Sequence, residues 1–448
     1  MSEQYTVPEN LATLPITRIS VAGFKSINKE QSIEVRELTI LAGANSSGKS
    51  SIIQPLLLLK QTLEASYNPG VFRLNGPNVK FTSPDQLLSI NGKDKHVESY
   101  QIKVEIFGNT LNVQLTFQKI SNERGFDIKE MTWKDGPQTL TLRPGMPSAE
   151  IDEKPTLRDL RVNKDSEWFI SQDRGFLRLD IVNAPTSQIM AVSRPFPFVP
   201  VDFTREAIQK LIHVPGLRGN LEREYQTTAV GATFPGRFDD YTASVIVSWQ
   251  ERGNQDKLDK LNEYLTKLGL TSKIKATRLD ATRIRVEVSR VLKATNGKNG
   301  DMVNIADVGL GVSQVLPVLV ALLVAAPGQL VYIDQPELHL HPRAQNALAE
   351  ILADAAKRGV RVVIETHSDI LLLGIQALVA EEKLSPELVK LHWFTRSKEG
   401  KTEIASSDLS QTGSFGDWPE DFAETSLEVQ RRYLDAAELR RRLLKVGN

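Results

Sequence analysis

The sequence predicts an α/β protein in which a mostly parallel sheet is flanked by helices and interrupted by a β-rich and helical insertion. Three observations carry this prediction. From Asp307 to Phe394 the apolar pattern reads helix, strand, helix, strand, helix, strand, the order that builds a parallel sheet. At Gly43 to Ser50 a glycine-rich turn joins an apolar strand to an apolar helix. Residues 97 to 183 read as β-rich: apolar positions recur at every second residue in Ile102/Val104/Ile106 and Val113/Leu115/Phe117, the period of a half-buried strand, and more weakly around Trp133, Leu140 and Phe176 to Ile181.

The 448 residues are 40% hydrophobic and 25% charged, within the range of soluble globular chains and long enough for several domains or for one large core with an insertion. Fifty-five basic residues balance 55 acidic ones, so no global field draws the chain onto nucleic acid or an acidic membrane. The absence of cysteine excludes disulfides, thiolate metal sites, iron–sulfur clusters and a cysteine nucleophile. Met1 to Asn10 lacks the basic-then-apolar pattern of a secretion signal. Together these features set the expectation of a cytoplasmic protein. The apolar run Val315 to Ile333 is cut by Pro327-Gly328-Gln329, so it reads as buried core and no membrane contact is expected.

In chain order, Ile16 to Leu41 reads as strands: Ile16, Ile19 and Val21, a turn near Ser26 to Lys29, then Ile33, Val35 and Leu38 to Leu41. Ser50 to Ala65 reads as a buried helix. Ile102/Val104/Ile106 and Val113/Leu115/Phe117 flank Gly108-Asn109 as a hairpin. Helical spacing returns between Phe203 and Leu270, as in Leu258, Leu261, Leu265 and Leu268, and Ile284, Val286 and Val288 alternate as a strand. Val214-Pro215-Gly216-Leu217-Arg218 and Arg223 form a Pro/Gly-Leu-Arg turn that either approaches nucleotide or a partner copy or, as the reading preferred here, is a surface loop. Residues 1–65 and 300–400 are expected to form the core domain, 66–300 the insertion, and 401–448 a C-terminal extension whose charged segment from Glu420 to Asn448 is helical.

Gly43-Ala44-Asn45-Ser46-Ser47-Gly48-Lys49-Ser50 matches G-x-x-x-x-G-K-[ST] in the strand-to-helix context that pattern requires. Such a loop turns backbone N–H groups toward phosphate oxygens at the positive end of a helix, while Lys49 neutralises the outer phosphates and Ser50 reaches Mg²⁺. Leu330-Val331-Tyr332-Ile333-Asp334 is an apolar strand ending in a carboxylate, as a Walker B element needs in order to hold the Mg²⁺ shell. Asp307-Val308-Gly309-Leu310-Gly311-Val312-Ser313-Gln314 opens an apolar helix with small residues. That helix tip either approaches a phosphate or is simply capped by Ser313. His339 and His341, two residues apart, have too few partners to suggest a zinc site.

Gln335-Pro336-Glu337-Leu338-His339-Leu340-His341-Pro342 and Val362 to Asp369, with its Thr366-His367-Ser368, resemble the E-x-P-E-x-H-L-H-P and T-H-S stretches of the ABC/SMC/RecF class of ATPases. The likeness extends to the AAA-family ATPases of bacterial anti-phage defence systems (OLD-like, Septu, Gabija and PARIS components), and Arg18 to Ser26 resembles that class's first strand. The resemblance implies an ABC/SMC-type P-loop ATPase head that takes ATP and Mg²⁺. Gly43, Asn45, Ser46, Ser47, Gly48, Lys49, Ser50 and Ser51 would cradle the nucleotide, with Ser50 and Asp334 toward the metal. Gly311 and Ser313 would cap the nucleotide of a second copy, giving a homodimer or higher oligomer through an ATP sandwich. His367 matches the switch histidine. Gln335 stands where such sites usually carry the catalytic Glu; it can orient water, leaving Glu337 or Glu365 to supply the base of a slow hydrolase. The implied role is a switch controlling a separately encoded effector, a nuclease or toxin. The alternatives are a RecF-like ATP-gated DNA clamp, with DNA as partner, and an ATP-bound scaffold without catalysis.

Overall fold

The computed structural model describes residues 14–91, 95–108, 110–120, 125–153, 166–183, 189–190, 199–218, 222–290, 301–416, 431–432 and 434. Its centre is a six-stranded sheet in the order Ile212–Val214, Leu330–Asp334, Arg361–Thr366, Leu38–Gly43, Val389–Arg396, Thr402–Asp408. All neighbours run parallel except the last pair, which is antiparallel. The inner strands are apolar on both sides because both faces are covered, as parallel sheets require. Period two sorts them: Ile40, Ala42, Val331, Ile333, Val362 and Ile364 pack into one core cluster, whereas Leu41, Leu330, Tyr332 and Val363 pack into another.

The second cluster holds the helix Lys49–Leu63, which lies between this sheet and a second, antiparallel one. That sheet has the order Gln31–Glu34, Ile16–Ala22, Ser99–Ile106, Leu111–Lys119, Phe126–Asp135, Gln138–Leu142. The first cluster is covered by the helices Leu310–Val324, Pro342–Lys357 and Asp369–Ala380, together with Thr242–Glu251 and Gln255–Lys267. The helix–strand order expected from Asp307 to Phe394 is the observed one. The two sheets draw on all three stretches of chain distinguished above: Ile212–Val214 comes from within 66–300, and Thr402–Asp408 from beyond 400.

Parallel register brings the carboxyl ends of the central strands to one edge, Asp334 beside Glu365 and Thr366 beside Ala42. This is the edge at which open α/β sheets bind ligands. Among the described residues no helix is long and apolar enough to cross a membrane. Of the charged segment 420–448, only Arg431, Arg432 and Leu434 are described, all helical and exposed, and Asn109 of the expected hairpin turn lies outside the described residues.

Candidate functional site

The loop 43–48 is shaped by residues that only glycine can replace. Gly43 has φ +143, and a Cβ there would stand 2.3 Å from the Phe394 carbonyl oxygen. Gly48 has φ +102, and a Cβ would stand 2.1 Å from Thr402 Oγ1. Thr402 is buried and locks the loop from behind, donating to the Ser47 carbonyl at 2.8 Å and lying 2.8 Å from Ser26 Oγ. The helix that follows starts at Lys49 with no side-chain cap and no acidic residue in its first turn, so its positive end is left for an anion. Lys49 is buried, and its Nζ donates to the carbonyls of Gly43 (3.1 Å) and Ala44 (2.9 Å).

A cleft of about 430 Å³ opens over this loop. Asn45, Ser46, Gly48, Lys49, Ser50 and Ser51 line it from the loop and helix, and Asp334, Gln335, Glu365 and His367 from the strand ends. Gly43 and Ser47 stand behind these as framework. Ser50 Oγ donates to Glu365 Oε2 at 2.9 Å, and Tyr332 OH donates to the other Glu365 oxygen. Burial pushes the Glu365 carboxyl up to about 7, and the adjacent Asp334 charge adds to the effect. Burial likewise raises Asp334 and Glu337. It lowers Lys49, against the pull of Glu365, Asp334 and Glu337. His367 is held below its ordinary value by burial and by the Lys49 charge, so it is neutral at pH 7. A hydroxyl beside two neighbouring carboxylates suits Mg²⁺, which takes one or two carboxylates and completes its shell with phosphate and water. Among the described residues no cluster of three His, Asp or Glu side chains makes an all-protein metal cage.

Glu337 does not line the cleft. It is buried behind it, accepting from Thr366 Oγ1 at 2.8 Å and from the His367 N–H at 3.0 Å, while its Oε2 has no partner. Gln335 is a non-glycine residue at φ +46, and its N–H is tied to the Glu365 carbonyl at 2.9 Å. His339 is exposed at φ +64, and His341 caps the helix Pro342–Lys357 by accepting from the Arg343 N–H. Gly311 and Ser313 are not brought to this cleft. Gly309, not Ser313, is the N-cap of the helix Leu310–Val324, and Ser313 Oγ donates to the Leu310 carbonyl at 3.0 Å.

Four cleft residues escaped the sequence reading of the site: Lys25, Ser26, Gln54 and Arg396. Lys25 Nζ donates to Gln54 Oε1 at 2.6 Å. The available signal was positional: Arg396 ends a strand, and strand ends at this edge bind ligands. Arg218 corrects the surface-loop expectation, being 5% exposed, whereas Arg223 is exposed and pairs with Asp307.

These parts define a P-loop nucleotide-binding head. Residues 38–373 match the family described as "AAA domain, putative AbiEii toxin, Type IV TA system", and the chain belongs to that family. It is also similar to the Old nuclease of Escherichia phage P2, 46% identical over 43 residues, a match spanning 10% of this chain and 7% of that protein. Among solved structures it resembles an SMC head bound to the C-terminal winged-helix domain of ScpA, with TM-score 0.50 and 12% identity over 89% of this chain and 98% of that one. The SMC head of Thermotoga maritima aligns at TM-score 0.39 and 11% identity over 88% and 98%. The fold is that of an SMC-type ATPase head.

Proposed function

We propose that this chain binds and hydrolyses ATP as a switch, closing head to head around nucleotide and governing a separately encoded nuclease or toxin in a bacterial anti-phage defence complex. The observation that carries the reading is the convergence of the 43–51 loop, Asp334, Gln335, Glu365 and His367 on one cleft. The effector role is supported by the toxin–antitoxin system in the family description and by the short match to a phage nuclease.

In this reading the loop amides and Lys49 grip the β- and γ-phosphates. Ser50 and Asp334 would hold Mg²⁺, which when bound neutralises charge on the phosphates. Gln335 orients a water in line with the γ-phosphorus, and Glu365, which lines the cleft, accepts the proton that the water loses as its oxygen bonds to phosphorus and ADP departs. Glu337 holds the His367 backbone in place, and neutral His367 donates toward the γ-phosphate. A second copy's Gly311 and Ser313 close the site from outside. Because ATP touches both surfaces only when they meet, its differential affinity favours the closed state and hydrolysis releases it.

Phosphate release by the full chain with Mg²⁺ and ATP tests the assignment. Glu365→Gln should lower turnover by about a hundredfold or more, the scale of a lost general base, and Glu337→Gln by less. Parental rates in both variants would remove the two carboxylates from the chemistry.

A further inference from the structure

Arg218 is the most deeply buried arginine among the described residues. It follows the edge strand Ile212–Val214, in the turn Pro215-Gly216-Leu217-Arg218, and is 5% exposed. Its fork makes no carboxylate hydrogen bond among the described residues. Nη1 donates to the Gln314 carbonyl at 2.8 Å, and Nη2 donates to the carbonyls of Asp334 at 2.8 Å and Gln335 at 3.0 Å. Gln314 returns the contact, its Nε2 donating to the Arg218 carbonyl at 3.2 Å. Removing a guanidinium from water is costly, and an aliphatic side chain would fill this volume without that cost. What the planar fork adds is one rigid group bonded to two separate elements at once.

Those two elements belong to different nucleotide contacts. Gln314 opens the second turn of the helix Leu310–Val324, next to Ser313. Asp334 and Gln335 end the Walker B strand over the chain's own cleft. Gln335 sits in the left-handed backbone region, where a non-glycine residue is strained and persists only when its surroundings hold it. Three bonds do so: its N–H to the Glu365 carbonyl, and its own carbonyl accepting both from Arg218 and, at 3.2 Å, from the Leu338 N–H. The same turn presses on Asp334 itself, since a Cβ at Gly216 would stand 2.7 Å from Asp334 Oδ2.

We propose that Arg218 is a positioning residue that couples the tip of the helix Leu310–Val324 to Gln335, so that engagement of a second head by that tip sets the water-orienting geometry in the chain's own cleft. The inference rests on the ATPase reading above. Docking of the tip shifts Gln314; Arg218 moves with it through two hydrogen bonds, and the Gln335 peptide follows. Hydrolysis then waits on closure of the neighbouring site as well as on nucleotide in its own.

The experiment is a double-mutant cycle on the full chain, with turnover, KM, melting temperature and ATP-driven dimerisation read together. Arg218→Lys keeps the charge but loses the fork. It should lower kcat about tenfold or more, the scale of a lost charged hydrogen bond, with KM and dimerisation unchanged. Gln335→Ala should lower kcat as well, and the double variant should fall no further, because the two act as one unit. Gln314→Leu removes the Nε2 bond to the Arg218 carbonyl, one of the two bonds between helix and turn, and leaves the guanidinium and its bond to the Gln314 backbone carbonyl in place; it should reproduce part of the kcat loss while dimers still form. It decides the matter if Arg218→Lys does not fold. Multiplying losses in the double variant, or a kcat loss that only tracks melting temperature, would overturn the coupling. A parent chain that binds ATP but never hydrolyses it would overturn the ATPase reading, and the coupling with it.

Discussion

The cleft over the 43–51 loop and the tip of the helix Leu310–Val324 are built in opposite ways. The cleft's framework comes from its own chain: Thr402, Phe394, Glu365 and Asp334 arrive from four different strands to fix loop and strand ends. The tip faces outward. Gly309 caps it without a side chain, Leu310 is 46% exposed, and Leu217, between the residues that touch Asp334 and Gln314, is 85% exposed. Unlike the cleft residues, the Leu310 and Leu217 side chains stand exposed, and in the proposed reading this is the face that a second copy covers. The contrast teaches that the cleft's framework is fixed within one chain, whereas the helix tip is left without such a framework; in the proposed reading these correspond to gripping a phosphate and to completing the site around it.

The largest expected effect separates these tasks at the cleft. Lys49→Ala removes the cation that faces the phosphates, and each charged hydrogen bond lost is worth about 1.5–3 kcal/mol. Affinity for Mg²⁺-ATP in calorimetry should therefore fall by about a hundredfold. Undiminished affinity would mean that the cleft is not where nucleotide binds, and the comparison would break at that end. The next effect is at the tip. Ser313→Arg should leave nucleotide affinity of the single chain within about threefold, since surface changes away from a site cost little, yet abolish ATP-driven dimerisation and most turnover. A Ser313→Arg chain that still dimerises and hydrolyses at the parental rate would show the tip to be ordinary surface.

The cleft was largely legible in the sequence because its parts are local: a loop between a strand and a helix, a carboxylate ending an apolar strand, a Thr-His-Ser ending another. Their meeting follows from parallel strands in register, which the helix–strand alternation already requires. The supports were not legible, because each depends on a pairing between distant segments. Thr402 reaches Ser47 and Ser26 only once its strand has added antiparallel to the sheet edge. Ile212–Val214 is three residues long, too short to stand out against the helical spacing around it, and without that strand Arg218 reads as loop. Propensity and period report the exposed or apolar character of a segment; they do not report which distant carbonyl a buried guanidinium meets.

The smallest effect concerns how the finished half is held. His392 lies in the strand beside the 38–43 strand and is fully buried, Nε2 donating to the Glu34 carbonyl and Nδ1 accepting from Ser406 Oγ, each at 2.8 Å. The ring must be neutral to do both. Burial pushes its pKa down from 6.5 to about 4. The unfolded chain therefore binds a proton that the folded one refuses between those values. The stabilisation is complete above pH 6.5 and is lost as pH falls through 4, by about 3 kcal/mol for this one ring. The helix Leu310–Val324 contains no histidine, but His213 in the strand packed against it is also buried and pushed down to about 3, so His392 accounts for only part of the acid sensitivity. His392→Gln keeps a donor and an acceptor without titrating, and its melting temperature should fall less steeply than the parent's between pH 7 and 4.5. Parallel slopes would mean that the ring is not what makes the cleft half acid-sensitive.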